Sequence, residues 1–123
     1  MTPKRLVNLM RYDLNLYDDN GSVTTLPPSG QTISVNEQID MRVLDFENLG
    51  HVKVATISSH LDRVPQPVDD VAYLVPMRAL LALHERGFDT SDMYAPNMLV
   101  KDSTGRVIGC RRLMQMPQDG KQQ

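Results

Sequence analysis

Two polar turns, each ending in glycine and flanked by β-favouring residues, most constrain what this chain can fold into. Toward the C-terminus, Leu99-Val100-Lys101 leads into Asp102-Ser103-Thr104-Gly105 and out through Arg106-Val107-Ile108-Gly109-Cys110-Arg111-Arg112-Leu113. Toward the N-terminus, Leu14-Asn15-Leu16-Tyr17 leads into Asp18-Asp19-Asn20-Gly21 and out through Ser22-Val23-Thr24-Thr25-Leu26. A glycine that closes a tight turn takes positive φ without a Cβ clash, so both stretches read as hairpins. Hairpins near both ends predict a compact β-rich domain.

The residues between them fill in the plan. Leu26-Pro27-Pro28-Ser29-Gly30 stops the second strand, because proline has no ladder donor. Thr32–Val35 alternates and predicts a third strand. Ile39, Met41 and Val43 alternate with polar neighbours and predict a weaker fourth. Asn48-Leu49-Gly50 turns the chain into a fifth strand over 51–57, with Val52 and Val54 inward and His51 and Lys53 outward. Arg63-Val64-Pro65-Gln66-Pro67 reads as a surface loop. The continuous apolar run Val71–Val75 reads as a strand covered on both faces. One main helix is expected over about 76–87, opened by Pro76 and closed by Gly87, with Met77, Leu80, Leu81, Leu83 and His84 in its stripe. Residues 88–98 show no periodicity and read as an irregular loop. The expected class is α+β: a single β-rich domain over 1–116, built on an antiparallel sheet or small barrel or sandwich, followed by a polar tail over 117–123.

Composition narrows function by exclusion. The chain has 123 residues, enough for one core without staples, and a net charge of −2. That balance gives no electrostatic case for duplex nucleic acid or an anionic membrane. No apolar run is long enough to span a bilayer, and no leader-like apolar segment opens the chain. The single cysteine, Cys110, excludes an internal disulfide and suits a reducing compartment. A cytoplasmic location is therefore expected, the host cytoplasm if the chain is phage-encoded.

Each chemically suggestive residue has a plainer structural reading. His51, His60 and Asp62 would make a metal set, but their spacing matches no standard pattern, so no metal or other cofactor is expected. His84 suits the helix C-terminus, and Cys110 a buried strand position rather than a nucleophile. Ser29 sits in a turn that opens no phosphate loop, though its hydroxyl is placed to bond a ligand. Strict alternation puts Arg111 and Arg112 on opposite faces of the last strand; if one face is core, the arginine on it needs a carboxylate or a bound anion. Asp89 and Asp92 are the structural candidates for that pairing. A guanidinium fork for phosphate or carboxylate is the functional one, with Tyr94 stacking on a ring and Asn97 bonding a base edge.

The pieces Val7–Asp13, Pro27-Pro28-Ser29-Gly30, Tyr73-Leu74-Val75, Asp92–Pro96 and Asp102–Leu113 resemble a family of small proteins of phages and bacterial genomes. That family opens with an Asn-Leu-Thr-Pro-His-like strand, carries a Pro-Ser-Gly turn and closes with an Asp-x-x-Gly-Arg-x-x-Gly hairpin. This chain has Met10, Arg11 and Tyr12 where the family has Thr, Pro and His, and Thr90 and Ser91 where an arginine often precedes the aspartate. The resemblance implies a phage or prophage source and carries over no activity. Two readings follow. One is a non-enzymatic phage-type binding protein that sequesters a nucleotide-derived signal or blocks a host defence protein. Arg111, Arg112, Tyr94, Asn97 and Ser29 would form its site for an anionic nucleotide-like molecule. The alternative is a structural or virion-associated module acting by protein contacts, suggested by high methionine content and open strand edges. Either is expected to form a homo-oligomer.

Overall fold

A computed structural model describes residues 4–118. It contains β1 (Arg5–Asn8), β2 (Leu14–Tyr17), β3 (Val23–Leu26), β4 (Ser34–Phe46), β5 (Gly50–Asp62), β6 (Val71–Leu74), α1 (Met77–Glu85), β7 (Met93–Lys101) and β8 (Val107–Met114). The β-rich α+β expectation holds. Residues 119–123, most of the expected tail, lie outside the described residues.

Both hairpins read from the sequence form, and they join edge to edge. Asp18 Oδ1 accepts the amides of Asn20 and Ser22, and Asp102 Oδ1 accepts those of Thr104 and Arg106. The aspartate opening each turn therefore ties down the same relative positions, while Gly21 and Gly105 take φ of 81° and 88°. Strand β2 lies beside β8, with Leu16 opposite Cys110. Gly109 makes this junction possible: a Cβ there would stand 2.5 Å from the Asn15 carbonyl oxygen and 2.6 Å from the Tyr17 ring.

The six strands order as β1-β6-β7-β8-β2-β3. The sheet is mixed rather than antiparallel: β1–β6, β6–β7 and β2–β8 are parallel, whereas β7–β8 and β2–β3 are antiparallel. The parallel β6–β7 pair exists because α1 carries the chain back across the sheet. Pro76 is the helix N-cap rather than its first helical residue, with ψ of 149°. At the far end Gly87 takes φ of 82°, and its amide and that of Phe88 satisfy the carbonyls of His84 and Leu83.

Helix α1 buries Ala79, Leu80 and Leu83 against Tyr73, Val75, Met93 and Ala95, with Leu9 and Ile33 completing this core. Leu81, expected in the stripe, faces outward at 42% exposure. On the other sheet face, Met10, Leu14, Leu74 and Cys110 make a second cluster, flanked by Leu6, Leu16, Leu26 and Leu113. Tyr73 and Leu74 thus serve opposite cores, so β6 is covered on both faces as its continuous apolar run requires.

Two expectations are corrected. The separate strands predicted over 32–35 and about 39–44 are one 13-residue strand, β4, paired with the 13-residue β5 from Ser34↔Asp62 to Phe46↔Gly50. Cross-strand bonding carries the polar Asn36-Glu37-Gln38 stretch through. The predicted irregular loop over 88–98 is short, since β7 begins at Met93. Pro96 fits in β7 because β6 ends at Leu74, leaving no neighbour on that side to be denied a donor.

Candidate functional site

The segment joining β1 to β2 is anchored by Asn8, which is 1% exposed. Its Nδ2 donates to the carbonyls of Tyr12 (3.1 Å) and Leu26 (3.0 Å), and its Oδ1 accepts the Met10 amide (2.9 Å). These bonds fold residues 9–13 over the second apolar cluster. Ser29 clamps the next turn onto the same place: its amide and hydroxyl both donate to the Asn8 carbonyl, at 3.0 and 2.7 Å. The Ser29 hydroxyl is therefore committed within the fold.

The anchored segment forms one wall of a groove of about 800 Å³ on the sheet face opposite α1. Met10, Leu14, Leu99 and Cys110 make its apolar floor, and Tyr12, Asp13, Asp102 and Arg106 its polar rim. The volume suits a small molecule, and the mix of apolar floor and few polar groups is typical of such sites. Tyr12 is 63% exposed and leaves its ring face open to solvent. Met10 and Tyr12 also line a second hollow of about 390 Å³ that contains Arg11, Asn36 and Arg78. Tyr12 is thus the ridge shared by two adjoining hollows. No side-chain hydrogen bond or ion pair holds Arg106, Arg11 or Arg78 among the described residues.

Two titratable groups of the larger groove are shifted by their surroundings. The Thr104 hydroxyl and amide, with the Arg106 amide, hold the Asp102 carboxyl below its ordinary value. Burial pushes the Cys110 thiol up, which keeps it protonated and a poor nucleophile. Asn15 is engaged on both sides, donating to the Ile108 carbonyl and accepting the Thr25 hydroxyl.

The residues singled out from sequence are only partly brought together. Arg112 Nε donates to Asn97 Oδ1 at 2.7 Å across the β7–β8 pair. Tyr94 shares the sheet face of Pro96, on the groove side, whereas Asn97 shares that of Ala95, on the helix side. None of Arg111, Arg112, Tyr94, Asn97 or Ser29 lines the larger groove. Both Arg111 and Arg112 are exposed, so neither faces the core. Opposite Arg111, Met98 takes φ of 55° and regular pairing lapses between Asn97↔Arg112 and Leu99↔Cys110. Alternation restarts there, so Leu113 packs with Cys110. Of the aspartates suggested as arginine partners, Asp92 pairs with Lys4, and Asp89 accepts the Ser91 amide.

His51 pairs with Asp45 near the tip of β5, while His60 lies near its base on the opposite face. Among the described residues no three His, Cys, Asp or Glu side chains group as a metal site, and no helix is long and apolar enough to cross a membrane. The sequence reading missed Asn8, Tyr12 and Arg106 as groove-forming residues. The one available signal was that the turn aspartate places Arg106 beside the strand that meets the N-terminal hairpin. Comparison with protein-family models, with curated proteins and with solved structures finds no match.

Proposed function

We propose that this protein is a non-enzymatic binding protein of phage type whose groove captures a small, ring-bearing anion such as a nucleotide-derived signal. One observation carries the reading: an apolar-floored groove of about 800 Å³ rimmed by the exposed Tyr12 and by Arg106, which has no side-chain partner among the described residues. A tyrosine ring offers a stacking face to a base or similar ring. A guanidinium offers a fork that phosphate or carboxylate fills with paired hydrogen bonds. Arg11 and Arg78 in the adjoining hollow add two cationic groups beside a rim on which Arg106 stands with Asp13 and Asp102.

A structural module acting by protein contacts is the second reading, favoured by the exposed apolar side chains of β4 and β5. Thermal-shift and calorimetric titration with a panel of mono- and cyclic dinucleotides separates the two. Binding of a panel member should weaken about ten- to a hundredfold in Arg106→Ala, the size expected for a lost charge-assisted bond. Arg112→Ala should leave it unchanged. Weakening by Arg112→Ala with Arg106→Ala silent would move the site to the Arg112–Asn97 pair. A panel without any thermal shift would favour the protein-contact reading.

A further inference from the structure

The β4–β5 ribbon presents a face that, beyond its base, the other described residues do not cover. Its rungs on that face are Val35/Leu61, Glu37/Ser59, Ile39/Ile57, Met41/Ala55, Val43/Lys53 and Asp45/His51. Val35 and Leu61 pack against the helix-side core, so the face begins as core. Beyond them it runs into solvent: Ile39, Met41, Val43 and Ile57 are 58%, 59%, 61% and 61% exposed. A two-stranded ribbon without a third layer is marginally stable in water, and such a row of apolar side chains marks an interaction surface.

We propose that this face pairs with the same face of a second copy of the chain, the two ribbons running antiparallel about a two-fold axis. The sequence of rungs is self-complementary about the midpoint between Ile39/Ile57 and Met41/Ala55. An axis there sets each isoleucine rung over the Met41/Ala55 rung of the other copy. It also sets each Glu37/Ser59 rung over a Val43/Lys53 rung, bringing Glu37 of one copy diagonally to Lys53 of the other. Within one copy these two charges stand three same-face rungs apart, about 20 Å, and cannot pair. Opposite charges equidistant from an apolar centre are what an isologous interface requires. The free part of the face, from the Glu37 rung to the Asp45 rung, spans about 30 Å by about 10 Å, so two copies cover about 600 Å² of projected surface, the size of a weak, concentration-dependent interface.

Sedimentation equilibrium of the full chain between about 1 and 100 μM tests this. The expected mass is twice 13.9 kDa. Met41→Glu, at an exposed position that leaves folding intact by circular dichroism, should give a monomer. Glu37→Lys and Lys53→Glu should each weaken association at least about tenfold, since the symmetry repeats each like-charge contact. The Glu37→Lys/Lys53→Glu double variant should restore it, because the pair forms only between copies. A monomer at every concentration would overturn the proposal and leave the face to a different protein. So would a dimer indifferent to Met41→Glu, or a double variant no tighter than the single ones.

Discussion

Replacing Asn8 by alanine removes one side chain and strands three backbone groups. The Met10 amide sits in a buried bond, so its loss carries the full penalty of an unsatisfied donor, about 1–3 kcal/mol. The Tyr12 and Leu26 carbonyls are part-buried and can regain water, so each adds about 0.5–1 kcal/mol. The sum is about 2–5 kcal/mol, a large part of the roughly 6–18 kcal/mol expected for 123 residues. With a urea slope of about 2 kcal/mol per molar, the unfolding midpoint should fall by about 1–2.5 M at unchanged slope. Asn8→Asp sharpens the test, because it keeps shape and the Met10 bond. It sets an oxygen against two carbonyls, so its carboxyl pKa must rise in the folded state. Stability that depends on that proton is present at low pH and lost as pH rises through the raised value. The variant should therefore be as weak as Asn8→Ala at pH 7 and recover on acidification. A loss below about 1 kcal/mol in Asn8→Ala, or a native-like Asn8→Asp at pH 7, would refute the reasoning.

Other outcomes follow from particular contacts. Gly109→Ala drives a Cβ into the Asn15 carbonyl oxygen and the Tyr17 ring, and should cost about 1–3 kcal/mol by thermal denaturation. Removing the Tyr17 ring should recover only part of that, since the backbone oxygen remains. Leu80→Ala, at a fully buried helix position, should cost about 2–5 kcal/mol by the same assay. The lowered Asp102 pKa means that its turn stabilises the fold above the ordinary carboxyl value of 3.8 and loses that contribution as pH falls through the folded value. The stability difference between native protein and Asp102→Asn should accordingly shrink below about pH 4 in acid titration. Cys110, buried and with its pKa raised, should react slowly with a thiol reagent at pH 7 and rapidly after unfolding, and equal rates would contradict the burial assigned to it.

Local chemistry was legible where it did not depend on distant partners. Turn aspartates and glycines marked both hairpins, the apolar run marked the doubly covered β6, and Gly87 marked the helix end. Strand order was not legible, because the parallel pairs join residues far apart in sequence, such as Arg5 and Val71. The length of β4 was hidden because most of the ribbon lies outside any core, so no buried face imposes a hydrophobic pattern on Asn36-Glu37-Gln38. The exposure of both Arg111 and Arg112 was not legible, because alternation along a strand does not say which of its faces is covered. The groove depended on two ends of the chain meeting. Asn8 reveals its role only when the Tyr12 and Leu26 carbonyls converge on it, and Ser29 only when it reaches back to Asn8.

The claim that the Tyr12–Arg106 groove holds a small ring-bearing anion is tested most directly by what the purified protein carries. Mass spectrometry of small molecules released on denaturation should be run on the native chain, on Tyr12→Ala and on Arg106→Ala, each confirmed as folded. The native chain should release a near-stoichiometric compound with an ultraviolet-absorbing ring and a phosphate or carboxylate, strongly depleted in both variants. A native chain that releases no such compound, and that no nucleotide in the panel stabilises thermally, would contradict it.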